Sequence, residues 1–360
     1  MTNSPEHHEH YMKMALQLAE RGRFTVSPNP LVGCVIVKND KIIGTGFHEK
    51  AGLPHAECMA LDSATESIEG ATAYITLEPC THFGRTPPCT PRLINAGIKT
   101  VYVATLDPNP KVHGSGIAAL KAAGMDVHVG LCEAAARQQN RIFFHVMTKQ
   151  TPFVVAKWAM SIDGKTAVKN GDNRQLSSRE SQRAVHQLRH SLDAILVGAH
   201  TAIQDDPLLT VRDIDDIRKQ PIRIILCGKT LLPFTLRILD PDLPAATWLM
   251  VPNDIDEAWY QAALKQKLNV IKCEVDAHHH IQLPALMRYL AANHITSLLV
   301  EGGMSVLHSF FKERLVNESH IVFTPNLIGE LPQKTSVAFN NIQTIGNDYY
   351  ITATHEVMHV

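Results

Sequence analysis

Residues 54–89 read PHAECMALDSATESIEGATAYITLEPCTHFGRTPPC, and this stretch decides how the first half of the chain is interpreted. Pro54 is placed to open a helix at His55. One Pro-Cys pair, ending at Cys80, follows a predicted strand directly, and a second pair, ending at Cys89, begins the next predicted helix. Thiols at helix N-termini have lowered pKa values, which suits thiolate ligands. The stretch therefore predicts a zinc site formed by His55, Cys80 and Cys89.

The same stretch predicts a hydrolytic reaction at that metal. Zn²⁺ held by one histidine and two cysteines keeps a fourth position for water and lowers the pKa of that water towards neutrality. A carboxylate that stands beside the water without binding the metal can act as general acid and base, and Glu57 is the candidate. Taken alone, the residues also allow three unconnected side chains or a structural zinc site, although such sites usually have four protein ligands.

The loop between the two cysteines, Thr81–Pro88, is longer than the Pro-Cys-x-x-Cys spacing of the simplest nucleobase deaminases. It carries His82 and Arg85, and its length and charge favour a substrate larger than a bare base, such as one with a phosphate. By spacing alone, an ordinary solvated loop is the simpler interpretation.

Composition limits the classes of function. The chain has 360 residues and a formal net charge of −1, which implies no large basic surface for non-specific binding to nucleic acid. Its longest apolar run, residues 31–37, has the length of a strand and not of a membrane span. Seven cysteines without a small-domain framework, and a polar N-terminus unlike a secretory signal, indicate a cytoplasmic protein. We interpret Cys34, Cys132, Cys227 and Cys273 as small buried apolar residues.

Short helices and strands alternate along the chain, and this pattern predicts an α/β fold. In the first half it predicts a helix–sheet–helix sandwich. Thr151-Pro152 marks a boundary because a residue before proline is disfavoured in a helix, so we expect two domains, residues 1–149 and residues 150–360. The second half lacks a Gly-x-Gly-x-x-Gly motif between a strand and a helix. The Gly-Gly pair after Glu301 is a weaker candidate for a phosphate site, and a simple turn explains it about as well.

Four blocks of the first half resemble the bifunctional deaminase/reductase family of riboflavin biosynthesis. They are SPNPLVGC (residues 27–34), GLPHAE (52–57), LEPCTHFGRTPPC (77–89) and DPNPKVHGSG (107–116). The resemblance implies a cytidine-deaminase-like three-layer α/β/α sandwich in this half. It also implies that Asn29, His48 and His82 bind the pyrimidine substrate.

Four blocks of the second half are similar to the reductase half of the same family. They are KWAMSIDGKT (157–166), LRH (188–190), DDPLLTVR (205–212) and VEGG (300–303). The resemblance implies a dihydrofolate-reductase-like α/β domain that uses NADPH. It would place Ala159, Gln175, Thr201, Asp205 and Gly303 at the cofactor, and Asn173, Arg189, Leu209, Arg212 and Glu301 at the ribose-phosphate substrate. Gln175 departs from the family pattern, in which an aromatic residue would flank the nicotinamide.

The sequence therefore predicts a bifunctional enzyme of riboflavin biosynthesis that binds Zn²⁺ and NADPH. It would deaminate 2,5-diamino-6-(5-phosphoribosylamino)pyrimidin-4-one and then reduce the ribosyl chain to give 5-amino-6-(5-phosphoribitylamino)uracil, with Arg189 and Arg212 holding the phosphate. From the family we also expect a dimer, and we expect no binding to nucleic acid or membranes. Three alternatives stay open: a nucleoside or free-base deaminase fused to an unrelated reductase, a zinc-stabilised RNA-binding module, and a chain whose reductase half is a structural remnant.

Overall fold

The computed structural model describes residues 4–84, 86–110, 112–166, 178–324, 326–327, 335–345 and 348–357. The chain divides into two compact units. The first comprises residues 1–153 and 287–296, and the second comprises residues 154–286 and 297–360. Within the described ranges, every helix is too short or too polar to cross a bilayer.

The first unit is built on one five-stranded sheet. Its strands are β1 (Gly33–Lys38), β2 (Lys41–Phe47), β3 (Thr72–Ile75), β4 (Thr100–Val103) and β5 (Asp126–Val129), and its helices are α1 (Pro5–Glu20), α2 (Ala56–Asp62), α3 (Cys89–Asn95), α4 (Ser115–Ala122), α5 (Glu133–Gln139) and α6 (Arg141–Lys149). The strand order is β2-β1-β3-β4-β5. β1 pairs antiparallel with β2 and with β3, whereas β3, β4 and β5 run parallel.

Successive side chains of these strands point to opposite faces of the sheet, and helices cover both faces. One face packs Ile36, Ile75 and Val101 against residues of α2, α3 and α4. The opposite face packs Val35 and Tyr74 against residues of α1 and α5. The predicted three-layer α/β/α sandwich is therefore confirmed.

Helix α2 lies unusually close to β2 because two strand residues are glycines. A Cβ atom at Gly46 would lie 2.2 Å from the backbone oxygen of Ala56, and one at Gly44 would lie 2.3 Å from that of Ala60. Any larger residue would push the helix away from the sheet. The two glycines thus fix the height above the sheet at which α2 begins, next to His55.

The sequence from Leu131 onward favours one continuous helix, but the structure divides it at Asn140 into α5 and α6. The Asn140 side chain is buried, its amide nitrogen donates to the Leu31 carbonyl, and its Oδ1 accepts from the Leu31 N–H, each at 2.8 Å. Asn140 itself has φ −99° and ψ 19°, which ends the first helix. A contact with a distant residue therefore overrides the local helical pattern.

The second unit is built mainly on a seven-stranded sheet. From Phe153 onward the strands are β6 (Phe153–Ser161), β7 (Ala194–Gly198), β8 (Ile222–Leu226), β9 (Thr247–Pro252), β10 (Asn269–Cys273), β11 (Ser297–Glu301) and β12 (Glu318–Thr324). The helices are α7 (Arg179–Ser191), α8 (Ala199–Asp205), α9 (Glu257–Lys265), α10 (Leu283–Ala292) and α11 (Met304–Lys312), with a 3₁₀ turn at Arg237–Leu239. Helix α10 belongs to the first unit from residue 287 onward. The strand order is β10-β9-β8-β7-β11-β6-β12.

The centre of this sheet is parallel and buried. The pairs β10–β9, β9–β8, β8–β7, β7–β11 and β6–β12 are all parallel. Every residue of β7 and β11 is buried, as expected for parallel strands covered on both faces. Three further strands, β13 (Asn326–Leu327), β14 (Thr335–Ile345) and β15 (Asp348–Val357), form a separate antiparallel sheet.

Candidate active sites

The three predicted zinc ligands converge at the beginning of two helices in the first unit. His55 immediately precedes α2, Cys89 is the first residue of α3, and Cys80 lies between β3 and α3. The Nδ1 atom of His55 is 3.2 Å from the Cys89 Sγ and 3.5 Å from the Cys80 Sγ, and all three ligand atoms lie within 4.8 Å of one another. One imidazole nitrogen and two thiolates form a zinc donor set that leaves a fourth position for water, so these residues fit the metal.

Neighbouring groups orient His55 and lower the pKa of Cys80. The Nε2 atom of His55 lies 3.1 Å from the Thr86 hydroxyl, a hydrogen bond that leaves Nδ1 to face the thiols. The Cys89 N–H donates to the Cys80 sulfur at 3.4 Å. Hydrogen bonding from the Cys89 side chain, opposed by burial and assisted by His55, lowers the pKa of Cys80 to about 4. Cys80 is therefore a thiolate at neutral pH, the form that binds a metal.

Glu57 lies within the first turn of α2, two residues after His55, and only 3% of its surface is exposed. Burial raises the pKa of its carboxyl to about 7, although the charge of His55 acts in the opposite direction. A carboxyl group with a pKa near the working pH can both accept and donate a proton. Its burial therefore suits the proton-transfer role that the sequence predicts.

The predicted pyrimidine-binding residues lie on the wall of the same pocket. Asn29 donates its amide hydrogen to His48 Nε2 at 2.9 Å, and the opposite ring nitrogen, Nδ1, donates to the Pro54 carbonyl at 3.1 Å. This pair of bonds requires one protonated and one unprotonated ring nitrogen. Burial also lowers the pKa of His48, so the ring is neutral. His82 is exposed and lines the pocket from the loop between the cysteines; Arg85, in the same loop, lies outside the described residues.

The second pocket lies at the carboxyl ends of β6, β7 and β11 in the second unit. Every predicted reductase-site residue that the structure describes lines it: Ala159, Arg189, Thr201, Asp205, Leu209, Arg212, Glu301 and Gly303. Asn173 and Gln175 lie outside the described residues. Gly302 and Gly303 have φ angles of 100° and 53°, values that L-residues adopt with strain, and they form the turn into α11.

A buried carboxylate organises the positive charges of this pocket. Glu301 Oε2 accepts from Arg189 Nε at 2.8 Å, and Glu301 Oε1 lies 3.3 Å from the Lys157 amino group. Burial alone would raise the pKa of Glu301, but Arg189 and Lys157 hold it below its usual range. Arg189 also donates to the Thr210 carbonyl at 3.3 Å. Arg212, whose side chain is 53% exposed, is the more accessible of the two predicted phosphate-binding arginines.

Comparison with known proteins places both halves in one family. Residues 152–353 match the RibD C-terminal domain, and residues 5–105 match the zinc-binding region of cytidine and deoxycytidylate deaminases. The chain is 41% identical over 354 residues to the riboflavin biosynthesis protein RibD of Aquifex aeolicus, which covers 95% of this chain and 97% of the relative. The chain belongs to the RibD family.

Other relatives agree. The Escherichia coli RibD is 39% identical over 333 residues, covering 89% of this chain and 88% of the relative. The solved structure of Acinetobacter baumannii RibD is 34% identical, covers 98% of this chain and 100% of that chain, and superposes with a TM-score of 0.81. A Thermotoga maritima structure, described as a diaminohydroxyphosphoribosylaminopyrimidine deaminase and 5-amino-6-(5-phosphoribosylamino)uracil reductase, is 31% identical with a TM-score of 0.79, covering 96% of this chain and 98% of that chain.

Membership of the RibD family confirms several predictions. The two-domain α/β architecture, the pairing of a deaminase with a reductase in riboflavin biosynthesis, and the use of zinc and NADPH are those of this family. The RNA-binding module and the unrelated reductase lose their support, because one family accounts for nearly the whole chain.

Two residues that the sequence analysis left without a role lie in these RibD-type pockets. Lys157 stands in the quoted KWAM block and pairs with Glu301. Glu78 stands in the quoted LEPC block, is buried, and lines the deaminase pocket. The sequence offers one signal for such residues, a charged residue among apolar neighbours. When that residue is buried, its charge needs a partner.

Proposed function

We propose that the first unit deaminates 2,5-diamino-6-(5-phosphoribosylamino)pyrimidin-4-one and that the second unit reduces the ribosyl chain of the product with NADPH. The observation that carries this proposal is the convergence of His55, Cys80 and Cys89 beside the buried carboxyl of Glu57. The name of the Thermotoga maritima relative, which specifies these two reactions, supports the choice of substrate.

In the deaminase unit, water adds to the amino-bearing carbon and ammonia leaves. Zinc, when bound by the three ligands, supplies the Lewis acidity that makes water a nucleophile near neutral pH. Glu57 takes the proton of the attacking water and passes it to the departing amino group, which its pKa of about 7 permits in both directions. The neutral His48 accepts one N–H of Asn29 and so fixes its side chain, which leaves the amide oxygen and the second N–H of Asn29 for the pyrimidine.

In the reductase unit, NADPH, when bound, would supply a hydride for C1′ of the ribose. Ala159, Thr201, Asp205 and Gly303 hold the cofactor in this proposal, and the accessible guanidinium of Arg212 holds the phosphate. Reduction opens the sugar ring, so the oxygen that leaves C1′ takes up a proton. We assign that proton to Lys157, because Lys157 lines the pocket and Glu301 fixes the position of its amino group.

We further propose that the enzyme works in the cytoplasm as a dimer. The resemblance to the family supports this expectation. Light scattering of the purified full-length chain measures the oligomeric state directly.

The Glu57→Gln variant tests the deaminase assignment. The amide keeps the size of the side chain but transfers no proton, so we expect ammonia release to fall by roughly 10²–10⁴-fold. Zinc content should be unchanged, and NADPH oxidation should be normal when the deaminated compound is supplied. Glu66→Gln, which removes an exposed carboxylate of the same unit, is the matched control. Loss of zinc in Glu57→Gln would make Glu57 a ligand, and a wild-type enzyme that releases no ammonia would refute the assignment.

The Lys157→Met variant tests the reductase assignment. Methionine keeps much of the side-chain volume but donates no proton, so NADPH oxidation should fall by roughly 10²–10⁴-fold while ammonia release stays at the wild-type rate. Lys229→Met, which removes an exposed lysine of the same unit, is the control. Normal NADPH oxidation by Lys157→Met would show that another group supplies the proton.

A further inference from the structure

Glu78 is a buried carboxylate between β3 and the zinc ligand Cys80, and only 4% of its surface is exposed. Its Oε2 atom accepts from the N–H groups of Asp107 at 3.2 Å and Gly114 at 2.9 Å. Its Oε1 atom accepts from the N–H groups of Gly116 at 2.9 Å and of residue 117 at 3.3 Å. All four donors belong to the segment formed by residues 107–110 and 112–117, which we call the pocket loop.

These four bonds use the whole hydrogen-bonding capacity of the carboxylate. A carboxylate has about four acceptor positions, two on each oxygen, and each oxygen of Glu78 receives two N–H groups. Three of the donors stand at the N-terminus of α4, where backbone N–H groups lack partners within the helix and favour a negative charge. Glu78 therefore has no acceptor position left for a substrate and can act on one only through the pocket loop.

The pocket loop forms one wall of the deaminase pocket. Asp107, Asn109 and Val112 line the pocket together with Glu57 and His55. The Asp107 carboxylate accepts from the Asn109 N–H at 2.8 Å, so the start of the loop is held in a tight turn. The position of this wall relative to the zinc ligands depends on what holds the loop to the segment that carries Cys80.

The pocket loop also packs closely against the segment that carries Cys80. A Cβ atom at Gly116 would lie 2.1 Å from the Pro79 backbone oxygen and 3.2 Å from the Glu78 Oε1. The Glu78 N–H also donates to the Thr105 carbonyl at 3.0 Å, just before the loop begins. Glu78 is thus attached to the loop through its side chain and to the end of β4 through its backbone.

We propose that Glu78 is a positioning residue of the deaminase site, which holds the substrate-facing pocket loop at a fixed distance from the zinc ligands. This inference rests on the proposed deaminase function. It assigns to Glu78 a role in binding the pyrimidine substrate through the loop, and no role in proton transfer or metal binding.

The Glu78→Gln variant of the full-length, zinc-loaded enzyme tests the proposal. Glutamine replaces one acceptor oxygen with a donor, so two N–H groups of the loop lose their partner and the loop shifts. We expect KM for the diaminopyrimidine to rise roughly tenfold or more, kcat to stay within about threefold, and zinc content and reductase activity to be unchanged. Hydrogen exchange should accelerate in the pocket loop and remain at wild-type rates in β1 and β3. Glu69→Gln, an exposed carboxylate of the same unit, is the control.

An unchanged KM, a loss of zinc, or unchanged exchange in the pocket loop would overturn the proposal. If Glu78→Gln does not fold, the Gly116→Ala variant tests the proposal instead. Its added methyl group separates the pocket loop from Pro79, while the Glu78 carboxylate remains. The same rise in KM would support the proposal, and an unchanged KM would refute it. If the wild-type enzyme releases no ammonia, the proposed function fails, whereas the exchange measurement still reports whether Glu78 holds the loop.

Discussion

At the scale of single residues, Arg223 is the most unusual side chain of the second unit. It lies on β8 and is only 1% exposed. Its Nη2 atom donates to the Ala245 carbonyl, but no partner for Nε or Nη1 lies in the part of the chain that the structure describes. Burial lowers the pKa of this guanidinium, and the charge of Asp240 offsets only part of that effect. Arg223 therefore lowers the stability of the fold.

We expect Arg223→Met to stabilise the reductase unit. Methionine fills a similar volume and removes two unpaired donor nitrogens together with a buried charge, so the unfolding free energy should rise by about 1–2 kcal/mol and the melting temperature by several degrees. Thermal unfolding followed by circular dichroism measures the change. Arg237→Met removes an exposed arginine that pairs with Asp206 and should have a smaller effect. A lower melting temperature for Arg223→Met would show that the guanidinium has a compensating partner such as a buried water.

At the scale of elements, α7 holds the segment that carries Leu209 and Arg212 through two buried histidines. His186 Nδ1 accepts from the Arg212 N–H at 3.3 Å, and His190 Nε2 accepts from the Arg218 N–H at 3.0 Å. An imidazole can accept at a ring nitrogen only when that nitrogen carries no proton. Burial, followed by the charges of Arg189 and Arg212, lowers the pKa of His186 to about 4.

This arrangement predicts a pH dependence of stability. Because the pKa of His186 is about 6.5 in the unfolded chain and about 4 in the fold, the unfolded chain binds the extra proton between these values. The contribution of His186 to stability is therefore complete above pH 6.5 and is lost as pH falls towards 4. We expect the melting temperature of the wild type to fall more steeply between pH 6.5 and 4.5 than that of His186→Gln, whose amide oxygen accepts the same N–H without titrating. His190 and the proposed zinc ligands are present in both proteins, so a difference between the two reports on His186. Equal slopes of melting temperature against pH would contradict this reasoning.

Most elements could be predicted from the sequence, and the exceptions have physical reasons. The strands β7, β8 and β11 are predictable because each is a buried apolar run. Strand β10 is harder to predict because it lies at the edge of the sheet beside β9 and has no buried residue, which leaves no clear alternation of buried and exposed positions. Helix α8 is harder to predict because it follows β7 without an intervening loop.

The residues of the two sites likewise differ in how well the sequence predicts them. His55, Glu57, Cys80 and Cys89 were predictable because their spacing relative to prolines and helix starts reflects the local chemistry of a metal site. Lys157 was not, because its partner Glu301 is 144 residues away. The role of Glu78 likewise depends on N–H groups 29 to 39 residues further along the chain. Contacts between distant segments leave little trace in one sequence.

At the scale of the whole molecule, each set of site residues belongs to one unit. The proposed zinc ligands, Glu57 and the proposed pyrimidine-binding residues fall within residues 1–153, and the described residues of the proposed reductase site fall within residues 154–286 and 297–360. A substitution in one pocket therefore leaves the residues of the other pocket intact. The product of the first reaction is the substrate of the second, so the two activities should be separable by mutation and joined by diffusion.

A mixture of two variants, each inactive in one of the two reactions, tests this separation. Glu57→Gln alone should oxidise no NADPH with the diaminopyrimidine, because it makes no deaminated compound, and Lys157→Met alone should release ammonia without oxidising NADPH. Mixed in equal amounts, they should oxidise NADPH after a lag, because the compound released by Lys157→Met accumulates and reaches the intact reductase pocket of Glu57→Gln. Absorbance at the NADPH band follows the reaction, and adding the deaminated compound directly should abolish the lag. If the mixture stays inactive while each variant performs its own half-reaction, the intermediate passes only between pockets of the same chain.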